Sequence, residues 1–236
     1  MRSGRSGRDP LRHGPVSDGG APPGPGVTGV RGAVLAGGGA RRYGGLPKGL
    51  VELGGRRILD RVVDAVRAVT ETPPLVVANA PEGSSWRPDL RTIPDVRPGC
   101  GSLGGIYTAL VAGEGPVLCV AWDMPFLTED FLRALVAGAS GYDAYLPESG
   151  PKGLPTGRGR RGVEPLCAVY GPGCAPAIER RLARGELEAI GFHPDVKVGT
   201  LPVDRVRAFG DPDVLFFNVN RPEDLARAED LWRRRA

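Results

Sequence analysis

Glutamine is missing from this chain of 236 residues, and asparagine occurs only at Asn79, Asn218 and Asn220. So few amides fit a hot habitat or a GC-rich genome, and each Asn becomes worth locating. There are two histidines, His13 and His193, and four cysteines, Cys100, Cys119, Cys167 and Cys174, with no C-x-x-C spacing. That set excludes an ordinary structural zinc site. It is read instead as small buried thiols in a reducing cytoplasm, the expected location. No apolar run approaches the roughly 18 residues of a membrane span, so no membrane partner is expected. The N-terminus carries arginines without an apolar core, which is not the pattern of a secretory signal. Lysine is scarce too: Lys48, Lys152 and Lys197 stand against 28 arginines.

Charge of one sign is also in short supply. The net charge is +4, and residues 1–29 contribute four Arg against two Asp, leaving the remainder near +2. The run Arg233, Arg234, Arg235 falls at an expected helix C-terminus, where cations complement the dipole. Nucleic acid is therefore not an expected partner, because such binding uses clustered basic stripes.

Glycine and proline are abundant but unevenly placed. Residues 1–29 hold 13 of them and almost no apolar side chains, so this segment is expected to be a disordered Gly/Pro/Arg-rich tail. Residues 30–236 read as one domain, long enough to bury a substantial core. Within it, short apolar runs alternate with amphipathic stretches. Strands are expected at 30–36, 75–78, 91–93, 117–121, 142–146, 163–170 and 214–217. Helices are expected at 56–69, 103–112, 128–137, 175–183 and 222–234, with Thr128 capping the third. Residues 148–162 read as a long Gly/Arg/Pro-rich loop. Alternating strands and helices imply an α/β layer fold with a mainly parallel sheet. In such sheets ligands bind at the carboxyl ends of the strands.

The informative residues fall at those ends. Residues 35–50, LAGGGARRYGGLPKGL, leave an apolar strand and supply successive glycines whose N–H groups can face an anion unobstructed. This is neither a Walker A loop, since no G-K-[S/T] occurs, nor the dinucleotide fingerprint, since Arg42 stands where the third glycine belongs. It reads as a triphosphate cradle in which Gly37 and Gly38 approach the phosphates. Arg41 and Arg42 add fixed positive charge, and Lys48 acts as a mobile point charge. Asp123, in V-A-W-D-M-P-F-L at 120–127, directly follows an apolar strand and is placed to hold Mg²⁺ together with substrate phosphates. Asp95 opens a glycine-rich turn, DVRPGCGSLGGI at 95–106, suited to close approach of a base or sugar. Asn220, before Pro222, is read as a cap of the last helix, as a ligand contact, or as both. No Ser-His-Asp set or Cys-His pair is discernible.

Together these segments resemble the molybdenum cofactor guanylyltransferase family of nucleotidyltransferases. The family pattern L-A-G-G-x-x-x-R-x-G-G-x-x-K-G-L matches 35–50, and P-G-x-G-x-L-x-G-I matches 98–106. D-M-P-F matches 123–126, E-P-L-x-A-x-Y matches 164–170 and N-x-N-x-P-E-D-L matches 218–225. Two positions depart from the commonest pattern: Pro47 replaces an acidic residue, and Ser102 replaces a proline. The resemblance implies a Rossmann-like three-layer α/β sandwich. It implies transfer of GMP from GTP to the terminal phosphate of molybdopterin, with release of pyrophosphate and Mg²⁺ as cofactor. It implies that Leu35, Ala36 and Gly37 hold guanine and sugar through the backbone. Lys48, Asn79, Asp95 and Asp123 match nucleotide contacts, Lys48 and Asp123 are the catalytic pair, and Asp123 is the metal ligand. Asn218 and Asn220 look like the molybdopterin side of the cleft. Molybdoenzyme maturation proteins are implied as partners. Pro47 before Lys48 keeps a cytidylyl- or sugar-phosphate nucleotidyltransferase open. A non-catalytic nucleotide-binding protein is the alternative from another class.

Overall fold

Strand β1 (Arg31–Leu35) is buried along nearly its whole length and lies between two parallel neighbours. The computed structural model describes residues 29–37, 47–150 and 162–235. The expectations for most of the tail, for Gly38, Arg41 and Arg42, and for most of the 148–162 loop lie outside those residues.

Seven strands form one sheet. They are β1, β4 (Leu75–Val77), β5 (Thr92–Ile93), β6 (Val117–Ala121), β7 (Ala144–Pro147), β8 (Cys167–Tyr170) and β9 (Val198–Leu201), in the order β5-β4-β1-β6-β8-β7-β9. All neighbouring pairs run parallel except those made by β8, which is antiparallel to β6 and β7. From β1 the chain builds outward through β4 and β5, then crosses back to β6 on the other side of β1. The carboxyl ends of β1 and β6 therefore diverge at the point where the strand order reverses, opening a crevice.

Helices cover both faces, which gives three layers. Helix α1 (Ile58–Arg67) buries Ile58, Leu59, Val62, Val63 and Val66 along one stripe, each worth on the order of 1.5–3 kcal/mol. Helix α4 (Glu129–Gly138) packs on the same side, and Thr128 caps it by accepting the Phe131 N–H at 3.3 Å. The opposite face is covered by α3 (Gly101–Val111) and α5 (Cys174–Ala183). The Arg31 guanidinium reaches over to the C-terminal end of α3, donating to the carbonyls of Ala109 at 3.2 Å and Glu114 at 2.7 Å. It thereby satisfies groups that the helix leaves open.

The structure corrects the expected elements in three places. Residues 214–217 are not a strand: Asp211 accepts the Asp213 N–H and Pro212 opens α7 (Pro212–Leu215). Short apolar runs carry no periodicity that separates strand from helix, and here the cap and the proline decide. A hairpin of β2 (Glu52–Leu53) and β3 (Arg56–Arg57) precedes α1, turned by Gly54 and Gly55 at φ +56° and +71°. A two-residue turn of that kind requires positive φ at both positions. Edge strand β9 lies where no element was expected. The remaining helices are α2 (Gly83–Trp86), α6 (Val203–Arg207) and α8 (Pro222–Arg233). All four cysteines are free, and burial holds the Cys119, Cys167 and Cys174 thiols well above the usual range.

Candidate active site

A cavity of about 370 Å³ occupies the crevice where the strand order reverses. Gly37 follows β1, Asp123 follows β6 after Trp122, and the N-terminal turn of α3 closes one side with Gly101 and Ser102.

Lys48 and Asp123 form its charged centre. Lys48 Nζ donates to Asp123 Oδ2 at 2.5 Å and to Asn220 Oδ1 at 2.9 Å. The side chains of Lys48 and Asp123 are only 10% and 3% exposed. Lysine and aspartate are almost never buried to this degree unless paired, so the pair and the burial explain each other. Lys48 was expected to end a loop free to close over a ligand. Instead it begins a one-turn 3-10 helix, Lys48–Leu50, that is packed in place. Gly49 makes that packing possible: a Cβ there would lie 2.2 Å from Trp122 Cε3. Trp122 in turn stacks on Trp86 with centroids 5.1 Å apart.

Asn220 reaches Lys48 because another residue caps α8. The Asp224 carboxylate accepts the N–H groups of Asn220 and Arg221, both at 2.9 Å. The Asn220 side chain therefore bonds Lys48 rather than capping α8. Asn218 does not join it. Its amide donates to the Phe216 carbonyl at 2.7 Å and shapes the turn before α8.

A second polar pair lies on the same cavity. Asn79 follows β4, and its side-chain amide donates to Asp95 Oδ2 at 2.7 Å. The Asp95 N–H donates back to Asn79 Oδ1 at 2.8 Å. Asn79 is exposed and Asp95 half-buried. Thr108, fully buried within α3, supports this pair by accepting the Val96 N–H at 3.0 Å and donating to the Gly104 carbonyl at 2.9 Å. Leu35 lines the cavity beside Gly105 and Asp95. Part of the backbone expected to face a ligand is engaged elsewhere: the Ala36 N–H donates to Val77 and the Leu35 carbonyl accepts from Trp122.

Several contributors escaped the sequence reading. Trp122 sits inside a recognised motif and Thr108 just beyond one, yet only packing shows what they support; the one signal for Thr108 is a lone hydroxyl in an apolar helix. Glu164 is another. Because β8 runs against its neighbours, its amino end, with Leu166 and Glu164, comes to the carboxyl edge of the parallel strands. Leu166 lines the cavity, and burial pushes the Glu164 carboxyl up to about 7, opposed by a hydrogen bond with Ser149.

The lining fits a divalent cation. Two carboxylates, Asp95 and Asp123, and one ammonium, Lys48, are its charged groups among the described residues. Among the described residues, Asp123 Oδ1 has no protein partner. One hard oxygen ligand beside room for phosphates suits Mg²⁺, which keeps several waters and uses one or two carboxylates.

Comparison with known proteins agrees with this geometry. The MobA-like NTP transferase domain matches residues 32–196. A probable molybdenum cofactor guanylyltransferase of Pelotomaculum thermopropionicum is 36% identical over 198 residues, covering 84% of this chain and 90% of that protein. A molybdenum cofactor guanylyltransferase of Desulfosudis oleivorans is 36% identical over 204 residues, covering 85% and 94%. The crystal structure of molybdopterin-guanine dinucleotide biosynthesis protein A from Archaeoglobus fulgidus superposes with a TM-score of 0.70 at 29% identity, covering 87% of this chain and all of that one. With a shared domain spanning the sheet and the crevice, and relatives matched over nearly their whole length, the chain belongs to the MobA-like NTP transferase family and is a nucleotidyltransferase.

Proposed function

We propose that the enzyme transfers GMP from GTP to the terminal phosphate of molybdopterin, in the biosynthesis of the dinucleotide cofactor. An oxygen of that phosphate forms the new bond to the α-phosphorus, the bond from the α-phosphorus to the bridging oxygen of the β-phosphate breaks, and pyrophosphate leaves. The observation that carries this reading is the buried Lys48–Asp123 pair, joined to Asn220, at the crevice between β1 and β6. A phosphate nucleophile is already anionic, so a strong base or covalent nucleophile is not required. Positioning and charge neutralisation suffice.

Lys48 would bring an ammonium to the phosphates in a site where water is scarce. Asp123 would hold Mg²⁺, which when bound neutralises charge on the phosphates. Asn220, which accepts from the Lys48 ammonium, would with Asn218 border the acceptor side. Gly37, which lines the cavity, would approach the phosphates; the sequence-based expectation that Gly38 and Arg42 join it falls outside the described residues. Leu35 and Ala36 border the nucleoside. Asp95, held by Asn79, accepts hydrogen bonds only and so suits a base edge that presents adjacent donors, as guanine does. The four free thiols fit a reducing cytoplasm.

The test offers the purified protein GTP or CTP with molybdopterin and Mg²⁺ and measures pyrophosphate. Release with GTP, dependent on molybdopterin, is expected. Faster release with CTP would assign the alternative base, and none with any nucleotide would make the chain a binding protein only.

A further inference from the structure

A second cavity, also of about 370 Å³, shares no lining residue with the first. It is built on the continuation of the segment that carries Asp123. Phe126 and Thr128 line it together with Arg56 and Arg61 from the β3–α1 region and Trp232 and Arg235 from the end of the chain. No acidic side chain lines it among the described residues.

The aromatic and cationic groups are locked together. The Arg61 guanidinium lies 3.9 Å from the centroid of the Trp232 ring, and that of Arg235 lies 4.9 Å from the Phe126 ring. Trp232 and Phe126 stack on each other at 6.4 Å. Trp232 is seated by Gly54, where a Cβ would come within 2.3 Å of Nε1. These contacts hold two guanidiniums in fixed orientations.

Their hydrogen-bonding capacity is only partly used. Arg61 donates through Nε and Nη2 to the carbonyls of Leu53 and Gly54, leaving Nη1 without an acceptor among the described residues. Arg235 donates through Nη1 to the Phe126 carbonyl at 3.5 Å, leaving Nε and Nη2. Neither has a carboxylate partner there, whereas Arg56 pairs with Asp64. Burial holds the pKa of both Arg61 and Arg235 below the ordinary value. Packing explains the stacked rings. It does not explain three guanidiniums converging on one cavity with no acid among its described lining residues, where Arg56 further disfavours the charge on Arg61.

We propose that this cavity binds a small phosphate-bearing anion, gripped by the unused N–H groups of Arg61 and Arg235 with Arg56 at its side. Planar guanidinium forks match phosphate oxygens, and both ring faces are already covered by cations, so the phosphate is the group recognised. The inference does not depend on the base or acceptor assigned above.

The test follows the indole N–H cross-peaks of the full chain in ¹H–¹⁵N spectra, recorded with a chelator present. The peak lost in Trp232→Phe identifies the reporter, and those of Trp86 and Trp122 report the reaction cleft. Inorganic pyrophosphate and, separately, GMP are the probes. A saturable shift of the Trp232 peak is expected, with affinity reduced about tenfold or more in Arg235→Ala and in Arg61→Lys. Equal affinity for the two probes means that phosphate alone is read; tighter GMP binding means that the nucleoside also contacts the cavity. Arg235→Ala alters an exposed position at the chain's end and keeps the test open if Arg61→Lys unfolds. The proposal is overturned by a silent Trp232 peak up to about 10 mM of either probe, by an equal shift in sodium chloride of matched ionic strength, or by unchanged affinity in the folded variants.

Discussion

Lys48–Asp123 and Asn79–Asp95 are both polar pairs at strand ends of one sheet, lining one cavity, yet they are built in opposite ways. The first is nearly sealed, with side chains 10% and 3% exposed, and is locked by Gly49 against Trp122. The second is open: Asn79 is exposed, and its bonds to Asp95 are local. Charge in a low-dielectric setting acts strongly and costs little reorganisation during reaction. An exposed amide and carboxylate adapt to what arrives. The sealed pair suits catalysis, and the open pair suits recognition of the nucleoside.

The sharpest way to break this contrast is Asp123→Asn. Loss of the charge that holds the metal is expected to lower pyrophosphate release about a thousandfold in a protein that still melts cooperatively. Near-normal turnover would make the pair structural.

Lys48→Ala is expected to lower kcat at least about a hundredfold, near 2.7 kcal/mol, with a smaller change in KM for GTP. It also strands Asp123 as a buried charge, so stability should fall by about 3–5 kcal/mol. Kinetics are therefore measured well below the lowered Tm. Lys48→Arg should rescue only partly, and Lys197→Ala, at an exposed site, serves as the control. A change in KM alone would mean that Lys48 binds ground and transition states equally.

For the open pair the pattern should invert. Asp95→Ala or Asn79→Ala is expected to raise KM for GTP about tenfold while kcat stays within about threefold. A kcat loss as large as that of Lys48→Ala would erase the distinction between the two pairs.

The smallest effect concerns the edge of the cleft. Glu164 has an ordinary pKa of 4.5 that burial raises to about 7 on folding. The folded protein therefore binds more protons than the unfolded chain in that window, and this group's contribution to stability falls as pH rises from 4.5 to about 7. Glu164→Gln should raise stability at pH 8 by at most about 3.4 kcal/mol, read as a higher Tm, and flatten the dependence below pH 7. An unchanged melting profile would show that Glu164 is solvated.

Much of the site was legible because its motifs are local. The glycines and Lys48 in 35–50, the Asp123–Met–Pro–Phe turn and the Asp95 loop each declare a strand end by composition alone. Amphipathic spacing placed α1 and α4, and Thr128 announced its own cap. The misreading of 214–217 has a local cause as well: an apolar run of that length is ambiguous, and the decision lay with Asp211 and Pro212 just before it.

The sequence by itself determined the alternation of strands and helices, and where glycine lets the backbone turn or approach, because these depend on residues within a few positions of one another. Tertiary structure decided which of those ends meet. Lys48 lies 75 positions from Asp123 and 172 from Asn220, and only the strand order, with β1 between β4 and β6, brings them together. It also decided how far each group is desolvated: why Lys48 is fixed rather than free, why the Glu164 carboxyl is pushed up, and why Arg61 and Arg235 face a cavity with no counter-ion among the described residues. Desolvation and long-range pairing depend on what packs around a group, and no stretch of sequence contains its own surroundings.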